Sequence, residues 1–307
     1  MSHEFELIDW IRGRVTSHPR VDVGIGDDAA VMAAPLKPVQ TLVTVDMLME
    51  GVDFLLPDAS GWRIGHKALA VNLSDIAAMA GRPVAAFVSV ALPRHRGMQL
   101  AQEIQQGIQA LAARFDVALP GGDTNTWDGP LVISITVHGE PTGRGPVLRS
   151  GAKVGDWIMA TGAFGGSIHG RHLDFVPRLS EAETLNNCVA LNAMLDVSDG
   201  LVADLRHILE ESQVGAILDV AAVPISPDVA QCADDRTPSD HALSDGEDFE
   251  LLFTVNPADG ARLLASPPFD TPLTHVGEIT TGYELLLRDP SGELKPAPVM
   301  GWKHSFG

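Results

Sequence analysis

Six short aspartate-bearing patches punctuate this sequence, and they constrain its fold more than any apolar run does. They are GIGDDAAV (24–31), TVDM (44–47), NLSD (72–75), GGDTN (121–125), DVSDGL (196–201) and SDGEDFELLF (244–253). Each lies beside glycines or within or at the end of an apolar segment. Glycine admits positive φ, so neighbouring acids in such a turn can face a common point. Carboxylates displayed this way suit a fold that gathers its strand ends around a multi-Mg²⁺ nucleotide site. Mg²⁺ takes oxygen ligands, keeps several waters and bridges phosphates.

Hydrophobic periodicity alternates helices with strands along the chain. Residues 4–15 read as a helix carrying Leu7, Ile8 and Ile11, and 41–46 as a strand ending on Asp46. Residues 61–80 read as a long helix with Gly81 as its C-cap. Residues 83–92 have the composition of a buried strand. Residues 98–115 form an amphipathic helix with Ile104, Ile108, Leu111 and Phe115 on one face. A loop, PGGDTN, follows 117–119, and 131–140 is a further strand. Residues 141–155 are rich in Pro, Gly and basic side chains and lack a period, so the domain boundary is expected there. Beyond it, 156–161 is a strand entering GAFGGSIHG, and 199–212 is a helix with Ser198 as N-cap. Residues 251–255 and 283–288 are late strands, and 234–240 is a surface loop. The chain has 307 residues, enough for two domains of ordinary size, placed at 1–143 and 144–307. Both halves mix strands and helices, which makes the class α/β or α+β.

A net charge of −19 argues against a nucleic-acid partner, which needs clustered Lys and Arg. Bound divalent cations reconcile that charge with an anionic nucleotide; most of the remaining acids serve as solvated surface. Cys188 and Cys232 are the only cysteines, which fits a reducing cytoplasm and not a disulfide framework. No apolar run approaches 18 residues, so no membrane span is expected. MSHEFELIDW is acidic and lacks a signal-peptide apolar region. P-loop, protein-kinase and nucleophile-elbow motifs are absent. No Cys/His group has structural zinc spacing.

Among the acids, Asp27 and Asp28 share a G-x-G-D-D turn, and Asp46 ends an apolar run. Asp75 lies in KALAVNLSDIAAMA, a helix apolar almost all round, on one face with Ala68, Asn72 and Met79. An uncompensated acid there is costly; it calls for a metal, a proton, or a partner such as Lys67 or His66. Asp123 follows two glycines that let backbone approach a phosphate. Asp196 and Asp199 stand where a helix begins; its N–H groups attract an anion while the acids hold a metal, or Ser198 and Asp199 simply cap it. Glu247 and Asp248 precede an apolar strand. GAFGGSIHG offers N–H groups to phosphate or merely joins strand to helix. Arg149 can meet a phosphate bidentately.

Taken in order, the patches resemble the thiamine-monophosphate kinase family. That family shares a superfamily with aminoimidazole-ribonucleotide synthetase, selenophosphate synthetase and the hydrogenase maturation dehydratase. The resemblance runs through GIGDDAAV, TVDMLMEGVDF, IGHKALAVNLSDIAAMAGRP, GGDTN, RSGAKVGDWIMATG, DVSDGL and SDGEDFELLF to the terminal GWKHSF. It implies ATP-dependent phosphorylation of thiamine monophosphate to thiamine diphosphate with several Mg²⁺ ions and no side-chain general base. By motif, it implies metal ligation by Asp28, Thr44, Val45 through its carbonyl, Asp46, Asp75, Asp123, Asp196 and Asp199. It implies ATP contacts from Gly122, Asp123, Arg149 and Ser198, and substrate contacts from Glu247 and Trp302. The position seven residues after Asp46 is commonly His in the family; here it is Asp53, in GVDF. An acid there donates to phosphate only when protonated, or meets it through a metal. The implied fold is an N-terminal mixed-sheet domain that forms a homodimer, a C-terminal α/β domain, and ATP in the cleft between them. Two other readings remain: a sister ATP enzyme with another acceptor, and a nucleotide-binding protein without turnover. The absence of a cysteine before Cys188 counts against the selenophosphate branch.

Overall fold

Residues 3–25, 30–33, 40–56 and 58–302 are described in the computed structural model. The chain divides into two units. One comprises Met1–Ile76, Gly81–Pro141 and Leu173–Val176, the other Ala77–Ala80, Thr142–His172 and Pro177–Gly307.

The first unit runs α1 (His3–Arg12), β1 (Val21–Val23), β2 (Val31–Met32), β3 (Leu42–Met49), α2 (Gly61–Ala78), β4 (Gly81–Pro93), α3 (Gly97–Arg114), β5 (Ala118–Trp127) and β6 (Val132–Pro141). Its main sheet has the order β3-β6-β4-β5, antiparallel except for the parallel β4–β5 pair. The sheet is therefore mixed. Alternation along β3 sorts its side chains: Leu42 and Leu48 are buried and Thr44 and Asp46 half-buried, while Val43, Val45, Met47 and Met49 are exposed.

Helices α2 and α3 meet through glycines. A Cβ on Gly65 would overlap the Ile104 carbonyl oxygen, and one on Gly107 would overlap that of Trp62. On α2, Arg63 Nε donates to Asp174 at 2.8 Å and the His66 ring lies 2.9 Å from the Phe175 carbonyl. These contacts fix the segment that returns to this unit.

Three local expectations change. Asp46 does not end its strand: β3 continues to Met49. Gly81 does not cap α2: the left-handed residue is Ala80, at φ 52°, and Gly81 opens β4. A glycine is needed at 81 because a Cβ would press on Leu42 and Ile76. GGDTN is not a loop; it is the middle of β5, paired with β4.

The second unit runs β7 (Trp157–Thr161), α4 (Arg171–Asp174), α5 (Leu179–Cys188), β8 (Ala193–Asp196), α6 (Leu201–Ser212), β9 (Gly215–Asp219), α7 (Pro238–Ser244), β10 (Leu251–Val255), α8 (Pro257–Ala265), β11 (Leu273–Thr280), β12 (Leu285–Arg288) and β13 (Leu294–Pro296). Through α4 the chain re-enters the first unit. The seven-stranded sheet has the order β13-β12-β9-β11-β7-β10-β8. Ile158, Ala160, Leu195 and Leu252 from the strands pack with Leu205 and Ile208 of α6 in its core. The segment read as a surface loop contains the start of α7. Thr237 and Asp240 close a capping box there, with Pro238 in the first turn. Among the described residues, no helix is long and apolar enough to cross a membrane.

Candidate functional site

In the first unit the acid-bearing face of α2 lies on the helix-covered face of β3. The Thr44 hydroxyl donates to the Asp75 carboxylate. Asn72 Oδ1 accepts the Asp46 N–H at 3.2 Å, and its Nδ2 donates to the Ala68 carbonyl at 3.0 Å. The helical spacing of Ala68, Asn72 and Asp75 thus sets a row of oxygens against alternate residues of one strand. Asp75 is half-buried among buried neighbours. Lys67 Nζ donates to the Asp53 carbonyl at 2.8 Å, and the His66 ring lies 2.9 Å from the Phe175 carbonyl. The Asp53 carboxylate itself accepts the Met49 N–H at 2.6 Å, closing the turn after β3. Asp28 and Asp27 lie outside the described residues.

Asp123 does not stand with this group. Asp46, Ile135, Val88 and Gly122 form one row across the sheet, and Met47, Ser134, Ser89 and Asp123 form the next. Successive residues of a strand point to opposite faces. Asp123 is therefore on the open face with Met47, across three strand spacings of about 4.8 Å each. Gly122 has a packing reason of its own: a Cβ would overlap the Val88 carbonyl oxygen. A cavity of ≈ 930 Å³ reaches this edge strand and is lined by Phe87, Val88, Gly121, Gly122 and Asp123 among others.

In the second unit Asp196 ends β8 opposite Leu251 of β10. The pairing continues past the strand ends, with Val197 N–H donating to Glu250 at 2.8 Å and Glu247 N–H to the Ser198 carbonyl at 2.7 Å. Trp302 N–H donates to the Asp199 carbonyl at 3.0 Å. Asp196, Ser198, Asp199, Glu247 and Trp302 are thereby drawn to one end of the sheet. Arg149 is exposed, and its carbonyl accepts the Ser212 hydroxyl at 3.1 Å. Ser198 does not cap α6. The cap residue is Gly200, at φ 108°, where a Cβ would meet the Ser244 carbonyl.

Three contacts here had no counterpart in the sequence reading. Asp204, buried on α6, accepts the Asp199 N–H at 2.9 Å. Burial, and then the charge of Asp196, push its pKa up to about 8. The signal was available: Asp204 interrupts the apolar face of Leu201, Leu205 and Ile208 as Asp75 interrupts α2. One ligand atom each from Asp199, Asp204 and His207 falls within 4.8 Å of the others. Second, His172 Nδ1 lies 2.9 Å from the Glu247 carboxylate. Glu247 is held at φ 61°, a region uncommon for a residue with a side chain. Third, Gly165 N–H donates to Asp248 at 3.0 Å and Gly166 N–H to Asp245 at 2.9 Å. The glycine-rich loop therefore spends these donors on its own carboxylates and not on a phosphate. Arg171 compensates Asp248 at 2.7 Å.

The side-chain donors of the two groups are a hydroxyl and carboxylates. Such oxygen sets suit a hard cation such as Mg²⁺.

A profile of the family described as AIR synthase related protein, N-terminal domain, matches residues 26–140. A thiamine-monophosphate kinase of Rhodopirellula baltica is 41% identical, covering 98% of this chain and 97% of its own. The crystal structure of the corresponding protein from Stenotrophomonas maltophilia K279a has a TM-score of 0.80 at 35% identity, covering 95% of this chain and 98% of that one. AaThiL, solved in complex with AMPPCP and TMP, has a TM-score of 0.76 at 26% identity, covering 98% and 97%.

Proposed function

The chain belongs to the thiamine-monophosphate kinase family, so it transfers a phosphoryl group from ATP to thiamine monophosphate, and we propose that Mg²⁺ and the residues assembled above carry that transfer. The observation that carries this reading is the oxygen row of α2 and β3, with Asp75 placed on Thr44. Thr44, the Val45 carbonyl, Asp46 and Asp75 would hold metal in the first unit, together with Asp28. Asp196 and Asp199 would do so in the second. When bound, the metal supplies charge neutralisation on the transferring phosphates. Gly122, Arg149 and Ser198 are assigned to ATP. Glu247, Trp302 and the turn at Asp53 are assigned to the acceptor.

The acceptor phosphate has a second pKa of about 6 and is ionised near neutral pH. Its oxygen needs no general base, which fits a donor set of acids without a catalytic histidine. What these residues contribute is position: they hold the acceptor oxygen in line with the γ-phosphorus and exclude competing geometries. The direct test is incubation with Mg-ATP and thiamine monophosphate, with formation of ADP and thiamine diphosphate. Nucleotide binding without turnover would sink the reading.

Glu247 tests the acceptor side. Glu247→Gln keeps the backbone bond to Ser198 and removes the charge. We expect KM for thiamine monophosphate to rise about 10- to 100-fold, the worth of a charged hydrogen bond, with KM for ATP little changed. Equal effects on both substrates would reassign the residue.

We also place a homodimer contact on the open face of the first sheet. Val43, Val45 and Met47 are 63%, 58% and 59% exposed there, an apolar stripe that a monomer rarely shows. Asp123 would join the site from this face. Val43→Glu is expected to give a monomer by light scattering; an unchanged mass would place the contact elsewhere.

A further inference from the structure

Cys232, His241, Asp245 and His169 lie outside the residues assigned to phosphoryl transfer, and the second unit brings them together. Cys232 follows the 3₁₀ turn Pro227–Gln231, His169 ends the turn Ser167–His169, His241 lies on α7, and Asp245 follows α7. The His241 ring is 2% exposed. Its Nδ1 lies 2.9 Å from Asp245 and its Nε2 3.0 Å from Asp234. Cys232 Sγ lies 3.5 Å from His169 Nε2. One ligand atom each from Cys232, His241 and Asp245 falls within 4.8 Å of the others.

We propose that these side chains form a binding site for a thiophilic divalent cation of the Zn²⁺ class, with Cys232, His241 and Asp245 as ligands, water as the fourth, and His169 beside the thiol. A thiolate with an imidazole selects Zn²⁺, whereas the oxygen donors of the phosphoryl-transfer residues select Mg²⁺. Zn²⁺ accepts a thiolate, an imidazole and a carboxylate together with a water in a tetrahedral set. Asp234 stands on the other ring nitrogen of His241, as the carboxylate does in a carboxylate–histidine–metal arrangement.

The electrostatics agree. Burial, then Asp245 and Asp234, hold the Cys232 thiol above its usual pKa. The same negative field attracts a cation, and on binding the thiol proton passes to solvent. Arg236 is the competing cation, paired with Asp234 at 3.0 Å and Asp245 at 2.9 Å. Its guanidinium takes the carboxylate oxygens turned away from His241, while its backbone N–H donates at 3.1 Å to the Asp234 oxygen that faces the ring. With a thiolate, two aspartates and Arg236, a divalent ion makes the cluster formally neutral. Asp245 also accepts the Gly166 N–H at 2.9 Å and lies two residues before Glu247. The ion would therefore clamp the glycine-rich loop to the segment that carries the acceptor contact.

The test uses the full chain, stripped with a chelator and titrated with Co²⁺. One equivalent should produce a near-ultraviolet thiolate-to-cobalt charge-transfer band that Zn²⁺ then displaces. Cobalt bound at the oxygen-only donors cannot give this band, so the result stands apart from the phosphotransfer assay. Cys232→Ser should lose the band and Cys188→Ser should keep it, with far-UV circular dichroism showing both folded. Asp234→Asn, an exposed change that leaves the core intact, should weaken Co²⁺ binding about tenfold or more. No stoichiometric band in the wild-type chain, or a band that survives in Cys232→Ser, overturns the proposal.

Discussion

Asp75→Asn should lower kcat by about 10³-fold or more while leaving the protein folded, the cost of several kcal/mol of lost charge stabilisation in phosphoryl transfer. Asparagine is nearly isosteric, and its amide oxygen can still accept the Thr44 hydroxyl that Asp75 accepts now. Only the charge is lost. The apparent Mg²⁺ requirement should rise in the same titration. The variant should keep its far-UV circular dichroism and a cooperative melt, because asparagine conserves the volume of the side chain. Loss of turnover without loss of stability identifies a functional acid. Wild-type turnover at limiting Mg²⁺ would remove Asp75 from the metal site.

The largest structural effect is expected at Gly107. Gly107→Val should cost at least about 3 kcal/mol, at the upper end of the range for overpacking. A Cβ there overlaps the Trp62 carbonyl oxygen and crowds the His66 N–H, both fixed parts of α2. Relief requires moving one helix off the other, not turning a side chain. The first unit should melt about 10 °C lower, at 2–4 °C per kcal/mol. Gly107→Ala should also destabilise. At an exposed helical site the same change gains up to about 1 kcal/mol from helix propensity, so the sign separates close packing from propensity. The exposed neighbour Gln106 is the control: Gln106→Ala should change stability by no more than about 0.5 kcal/mol. A neutral Gly107→Ala would mean that the helices separate without cost.

Much of the first oxygen group was legible because it depends on local spacing. Asn72 and Asp75 share a helix face whatever that helix packs on, and Thr44 and Asp46 share a strand face whatever pairs with it. Asp123 was not legible in the same way. Reading GGDTN as a loop left its direction open, whereas pairing with β4 commits it to the open face. Asp204 was legible in principle, as a polar interruption of an apolar face. The partners of Asp248 and Glu247 were not. Arg171 and His172 lie more than 70 positions away in the chain and meet these acids through the glycine-rich loop and α4.

By itself, then, the sequence determined the alternation of elements and which acids share a helix or strand face, as Asn72 with Asp75 and Thr44 with Asp46. Periodicity and residue chemistry act over a few residues, and a single chain displays them in full. Tertiary structure alone decided which face Asp123 occupies, why Gly65 and Gly107 admit no side chain, which carboxylates consume the Gly165 and Gly166 donors, and that Cys232 meets His169 and His241. Those outcomes depend on strand register and helix crossing, which join residues far apart in sequence. No local pattern records which distant neighbour a given side chain will meet.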